Sequence, residues 1–544
     1  MMISEIRMGA AAALVSAILL GGCMFLLDTE KLQEGSGGSA GSAGLGGDGG
    51  DGAVPESGGD TIESGGSGGS QPDADAGPPC TNDLSCLDDD PCTVDTCEQS
   101  SGTCVHQPHH GIGLTNVDML GADSEHVVTI QSGVESIGVP VLSTDGDGFW
   151  LGYWYEESGS RDVVIKHFQA DEAVAPIEVR LKNTTFTLDD VYSSPAMLVR
   201  DFGVGGDGGI GHRRLAVVVA GMNAGAGPGV HVRLLDPGTL QLATGSPFPL
   251  VLETYADSNG FADPVVAAPG ALLVDDHIIV TWVKDGDLHT WDKRMLGSSS
   301  PTLATHDLPD DVLNAWPIQG TNLLTGNADF GAVLELANGN TYSTKLWSHG
   351  NDTSLVNLDT TGGERLGIAA APLTDPVPAN PSSLSVAAWA YDTASGPRIT
   401  AAGALCGAGQ CNAAAFPGEG NSTGEGMYPA ACSTWLPAYP GVRAVVVTQV
   451  LHSSDGGGYS AMLGTVFALE FGADGGSGQS LINPPYLLVR GPVANPSSKP
   501  EDSPLQRGAI AMSETGRIMV AWIEAEKNGK KSLRARRYGT KACQ

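Results

Sequence analysis

Residues 111–544 of this 544-residue chain predict an all-β fold, a β-propeller of seven blades, and three observations carry that prediction. Between Phe25 and Phe149 there is no Phe, Trp or Tyr, and all nine tryptophans lie from Trp150 onward, so the large core begins near residues 115–140. Beyond that point the chain is built of short β-branched runs with period-2 alternation, broken by Gly, Asp, Asn and Pro, and no segment carries a 3.6-residue apolar stripe. The third observation is a long internal period. Repetition on this scale in an all-β chain marks sheets that must each bury their faces against neighbours.

The period emerges from tryptophan-ended strands. GFWLGYW ends at Trp154, DHIIVTW at Trp282, SLSVAAW at Trp389 and GRIMVAW at Trp522, with gaps of 128, 107 and 133 residues. Each gap holds one similar strand near its middle: RLAVVVAG (Arg214–Gly221), FGAVLEL (Phe330–Leu336) and RAVVVTQV (Arg443–Val450). A second strand follows every one of these, from RDVVIKHF in the first unit to KKSLRARRY in the last. A further strand, often beside a proline, precedes them, as in GVPVLS, DPVVAAP, YPAACSTW and QRGAIAMS. This makes seven units of about four strands; the degenerate middle repeats also fit six or eight blades. A tryptophan at a strand end then reads as packing between blades.

The N-terminal region is of another kind. After Glu5 and Arg7, Met8 to Leu20 is uncharged and of secretory h-region length. It ends in Leu20-Gly21-Gly22-Cys23, which resembles the lipobox of bacterial lipoproteins. That resemblance implies a signal peptide over residues 1–22, acylation of the Cys23 thiol, and export to an outer membrane or cell surface held by lipid. The alternative is an uncleaved anchor, because Met8 to Leu27 is twenty residues without a charge. Residues 23–79 form the next segment, and from Glu34 to Pro79 more than half the residues are Gly or Ser. Such a composition predicts a disordered linker spanning about 40 Å. Two G-x-S-x-G matches inside it (Gly37 to Gly41, Gly65 to Gly69) lack the strand–turn–helix context of a nucleophile elbow.

The formal net charge is −34, of which residues 24–104 contribute sixteen acidic residues against Lys31 alone. That balance excludes nucleic acid as a partner, since its recognition needs a basic face. Residues 80–110 are a cysteine-rich module containing Cys80, Cys86, Cys92, Cys97 and Cys104. Without a C-x-x-C pair the spacing suits disulfides rather than zinc, and five being odd, one thiol pairs elsewhere or stays free. Cys406 and Cys411 flank GAGQ and suit a local bridge. The run CLDDDPCTVDTC resembles a short repeat of slime-mould matrix and myxobacterial surface proteins, departing from it at Asp89-Asp90. That family's repeat is structural or adhesive. Asp88, Asp89, Asp90 and Asp95 read as a solvated acidic turn, with calcium binding as the alternative. His106, His109 and His110 have no carboxylate or cysteine at ligand spacing in sequence and read as a linker; no metal or other cofactor is expected.

The last unit, GRIMVAWIEAEKNGKKSLRARRYG, resembles blades of bacterial secreted propellers of the sialidase-like and integrin-like kinds. The resemblance is one of pattern and implies no single activity. STDGDGFW (Ser143 to Trp150) is out of register with the sialidase box and reads as an Asp/Gly turn between strands. Gly203, Gly205 and Gly208 satisfy G-x-G-x-x-G but precede a strand rather than a helix, and so read as a loop. Lys527 to Arg537 is the one basic cluster, with Arg534 and Arg536 on one face of what reads as a solvated outer strand. The expected function is a non-catalytic cell-surface protein that binds a protein or glycan. The alternative is a secreted polysaccharide hydrolase or lyase on the same fold.

Overall fold

A strand buried on both faces loses the polar half of its alternation, and that is what the β-branched runs of this chain record. A computed structural model describes most of the backbone over residues 79–544, and side chains chiefly over 79–357 and 508–543. The signal segment, Cys23, the linker, Cys406, Cys411, Asp89, His109, His110 and the Gly203–Gly208 loop lie outside the described residues. Among the described residues the regular structure is all strand.

The described strands begin with a hairpin, β1 (Thr93–Glu98) and β2 (Thr103–Pro108), followed by β3 (Ile112–Val117) and β4 (Val128–Val134). Sheets of four or five strands then follow in sequence order. The first contains β5 (Ser136–Ile137), β6 (Val141–Asp145), β7 (Gly148–Glu157), β8 (Ser160–Phe168) and β9 (Ile177–Arg180). The second contains β10 (Leu188–Val191), β11 (Ala196–Phe202), β12 (His212–Asn223), β13 (Gly227–Leu235) and β14 (Val251–Thr254). The third has β15 (Gly270–Val274), β16 (His277–Lys284), β17 (Asp287–Arg294) and β18 (Thr302–His306). The fourth has β19 (Asp311–Thr321), β20 (Ala328–Asn338), β21 (Thr341–Ser348) and β22 (Asn351–Asp359).

The fifth sheet has β23 (Arg365–Pro372), β24 (Leu384–Tyr391), β25 (Arg398–Leu405) and β26 (Asn412–Ala415). The sixth has β27 (Glu425–Trp435), β28 (Val442–Ser453), β29 (Tyr459–Phe471), β30 (Ser477–Leu481) and β31 (Tyr486–Arg490). The seventh joins β32 (Leu505–Met512), β33 (Ile518–Ala525) and β34 (Lys531–Ala542) to the early strands β3 and β4. All pairings are antiparallel. The seven strands that define the sequence period are β7, β12, β16, β20, β24, β28 and β33, one inside each sheet. The expected DPVVAAP strand lies outside the described residues apart from Pro269; the strand before β16 is β15, which starts at Gly270. There Gly270 lies so close to Pro317 of β19 that a Cβ would approach the ring to 2.1 Å.

Where side chains are described, neighbouring sheets pack face to face, and period 2 divides the inner strands β7, β12 and β16 between two cores each. Phe149, Leu151, Tyr153 and Tyr155 of β7 join Met519, Ala521 and Ile523 of β33. Trp150 and Trp154, on the other face of β7, join Leu215, Val217 and Val219 of β12. Ala216, Val218 and Ala220 turn the opposite way to meet Ile278, Val280 and Trp282 of β16. Ile279 and Val283 in turn meet Ala332, Leu334 and Leu336 of β20. Contacts between sheets run from β6 to β11, β15, β19, β23, β27 and β32, and return from β32 to β6.

The last strand is not an outer edge. β33 flanks β34 on one side, and β3 and β4 flank it on the other. From Lys531 to Arg537 the basic run is therefore built in, because strands from some four hundred residues upstream flank it, while Lys530 in the turn before it is exposed. Arg534 pairs with Glu524 at 3.1 Å. Arg537 is fully buried, with its guanidinium 5.0 Å from the Phe149 ring, and donates to the Gln169 carbonyl at 2.9 Å. Burial lowers its pKa to about 10. Arg517 adds a second tie between the seventh and first sheets, donating to Glu172 and to the Ala170 carbonyl at 2.6 Å each.

Candidate functional site

The cysteine-rich module is a hairpin without a core of its own, closed by covalent bonds. Gly102, at φ +67°, makes the tight turn before β2, and a Cβ there would come within 2.7 Å of Pro79. Cys97 and Cys104 face each other across the hairpin, yet each bonds elsewhere: Cys80 with Cys97, and Cys86 with Cys104. The fifth cysteine solves the odd count by leaving the module. Cys92 bonds Cys543, 451 residues away and just past the end of β34. The Cys80, Cys86 and Cys97 sulfurs also lie close together, but all three are in disulfides and are not thiolate ligands.

The hairpin register also overturns the reading of His106 as a bare linker residue. Asp95 on β1 stands opposite His106 on β2, and Nδ1 of the imidazole lies 2.7 Å from Asp95 and 3.2 Å from Asp88. Sequence spacing hides this because the partners meet across a turn. The Asp95 side chain is only 4% exposed, so it does not belong to a solvated turn. One donor atom from each of the three residues falls within 4.8 Å of the others, a spacing that suits a divalent cation. Local groups already engage the carboxylates. Asp88 accepts from the Asp90 amide at 2.8 Å and the Thr93 hydroxyl at 3.2 Å, while Asp95 accepts from the Asp88 amide at 3.0 Å. Their evident work is to fix the acidic turn against the hairpin.

A second polar cluster lies on the second and third sheets, where the sequence reading named only Trp282. The Trp282 indole donates to the Tyr255 hydroxyl at 2.8 Å, and that hydroxyl donates to Glu253. His289 stacks on the Trp282 ring at 5.5 Å and places Nδ1 3.5 Å from Glu253. Burial, together with the Glu253 carboxylate, raises the Tyr255 pKa and keeps the phenol a hydrogen-bond donor. Burial lowers the His289 pKa, against the pull of Glu253. The next sheet repeats the plan: Trp347 donates to Asp352 at 2.9 Å, and His306 bridges Asp352 and the Thr290 hydroxyl. The Trp282 and Trp347 indole N–H groups thus each have an acceptor, which suits a packing tryptophan, whereas the buried Trp150 and Trp522 nitrogens have none among the described residues.

The expected Asp/Gly turn at Ser143 to Trp150 connects β6 to β7, with Gly146 at φ +62°. No family model matches the chain, and no curated protein matches it. Solved structures align over long stretches at low similarity. A protein of unknown function from Dyadobacter fermentans DSM 18053 shares 11% identity at a TM-score of 0.32, over 76% of this chain and 99% of its own. A Hadza microbial sialidase shares 12% at 0.33, over 63% and 67%. An exotype rhamnogalacturonan lyase shares 12% at 0.32, over 82% and 79%. Likeness at this level assigns no substrate and no reaction.

Proposed function

We propose that this chain is an exported, lipid-anchored protein whose sheets form a seven-bladed β-propeller, and that it binds a protein or glycan at the cell surface. The propeller reading is supported by the inter-sheet contacts that return from β32 to β6. It is further supported by β3 and β4, which complete the last sheet with strands from the start of the domain, a join that ties the two ends of a propeller together. The observation that carries the functional reading is the Cys92–Cys543 disulfide. Three disulfides persist in an oxidising compartment, in accord with the leader and with Cys23 as lipid anchor. A stapled module between anchor and propeller suits a body that is displayed and must hold onto a partner.

Polysaccharide hydrolysis or lysis is the second reading, favoured by the meeting of a carboxylate, a phenol and an imidazole at Glu253, Tyr255 and His289. One experiment separates the two. The protein lacking residues 1–78 is passed over a panel of glycans and polysaccharides and scored for retention and for turnover. Retention without turnover is the expected result. Turnover of any polymer, abolished by Glu253→Gln or by another carboxylate substitution, would replace the binding reading with the enzymatic one.

A further inference from the structure

The join between the start and the end of the domain has a weak side and a strong side. β3 is held to β34 by six residue pairs from Ile112↔Ala542 to Val117↔Arg537, and among the described residues no strand pairs with its other edge. A pull on the chain entering at Ile112 would open these pairs one after another, starting from the end. From Lys531 to Tyr538, β34 is held by eight pairs to β33 on one side, with β3 and β4 on the other; Gly539 to Ala542 pair with β3 alone among the described residues. Cys543 directly follows β34, is buried, and is bonded to Cys92 in the module upstream of β3.

We propose that the Cys92–Cys543 disulfide is a mechanical shunt: it carries tension arriving through the N-terminus into β34 and keeps the chain that runs through β3 and β4 slack. The shortest covalent route from Cys80 inward crosses to Cys97, runs back along β1 to Cys92, and enters Cys543. Residues 105–134, which include β3 and β4, lie off that route and stay slack. With the bond absent, the only route passes from Cys104 through β3 and β4, and load peels both from β34. The usefulness of the device rests on the N-terminal anchor proposed above. Its test applies the load directly, so failure of the shunt and failure of the anchor are separate results.

The test is single-molecule pulling on the exported chain between a tag placed ahead of Cys80 and a handle inserted at the exposed Gly350 turn. The oxidised protein is compared with the Cys92→Ser/Cys543→Ser double variant. The variant is expected to show an early low-force step as the 23 residues from Ile112 to Val134 come free. Fully extended, they account for at most about 80 Å. The oxidised protein lacks that step. The same early step in both proteins, or in neither, overturns the proposal. Should the double variant fail to fold, folded wild-type protein is partially reduced, alkylated, and sorted by mass into molecules with Cys543 capped and the other two bridges intact. Hydrogen exchange then reads the same question without force. The β3 amides are expected to exchange at least tenfold faster in the capped form, with the β16–β17 amides unchanged. Equal change in both regions, or none in β3, overturns the proposal.

Discussion

Replacing Trp154 by alanine tests whether the tryptophans that end the inner strands are packing wedges. Trp154 is 1% exposed and lies in a cluster with Val163, Leu181, Val191, Val199 and Val217, between the first and second sheets. The Arg161 guanidinium lies 5.2 Å from its ring and donates to the Val191 carbonyl of the next sheet at 3.3 Å. Collapse into the vacated space is limited on one side, where Gly138 packs so close that a Cβ would sit 1.9 Å from the indole nitrogen. Truncating a buried tryptophan costs about 3–5 kcal/mol. Loss of the cation–π contact adds about 0.5–1 kcal/mol. The expected loss is therefore about 4–6 kcal/mol, a large part of the 5–15 kcal/mol that typically holds a domain together. Urea unfolding followed by circular dichroism measures it, with Trp154→Phe as the milder comparison. An alanine variant within about 1 kcal/mol of wild type that has lost ligand retention would refute the packing argument and make Trp154 a contact residue.

Other outcomes follow from single groups. His231 is fully buried with Nε2 at 3.1 Å from the Gly221 carbonyl, and burial lowers its pKa from 6.5 to about 4. The unfolded chain therefore takes up the proton first, and the His231 contribution is lost as pH falls from 6.5 toward 4; by about pH 5 the loss is about 2 kcal/mol. His231→Phe should remove that part of the slope in thermal melts, and an unchanged slope would count against it. Tyr255→Phe takes the acceptor from the Trp282 indole, which is 3% exposed, and should cost about 1–3 kcal/mol in urea unfolding. Cys23→Ser should release the protein from membranes or leave an unprocessed precursor; unchanged membrane partition would favour a spanning anchor.

The inner strands were legible because burial on both faces writes a β-branched run that no other element would need. β7, with eight successive buried residues from Gly148 to Tyr155, is the clearest case. Their tryptophans marked the period because a large side chain suits a buried seam: Trp154 and Trp282 each lie in a core shared by two sheets. The joining strands were not legible. β3 is held by partners more than four hundred residues away, as the Thr115 hydroxyl bonded to the Gly539 carbonyl shows, and nothing local states that register. For the same reason Lys527 to Arg537 read as an exposed edge, although Arg537 is buried. The odd cysteine count left one thiol either to pair outside the module or to stay free; that it pairs, and with Cys543, was set by where β34 ends. The pairing of Asp95 with His106 was not legible because a hairpin turn, not sequence spacing, brings them together.

The measurement that bears most directly on the account is a non-reducing peptide map of the protein recovered from the membrane fraction of its native cells. The account predicts one cross-linked pair joining the peptide with Cys92 to the peptide with Cys543, beside the Cys80–Cys97 and Cys86–Cys104 pairs. Cys543 recovered alkylated, or bonded to Cys406, Cys411 or Cys432, would contradict it. The seventh sheet would then lack its covalent tie to the module, and the oxidised, stapled surface protein proposed from that tie would lose its support.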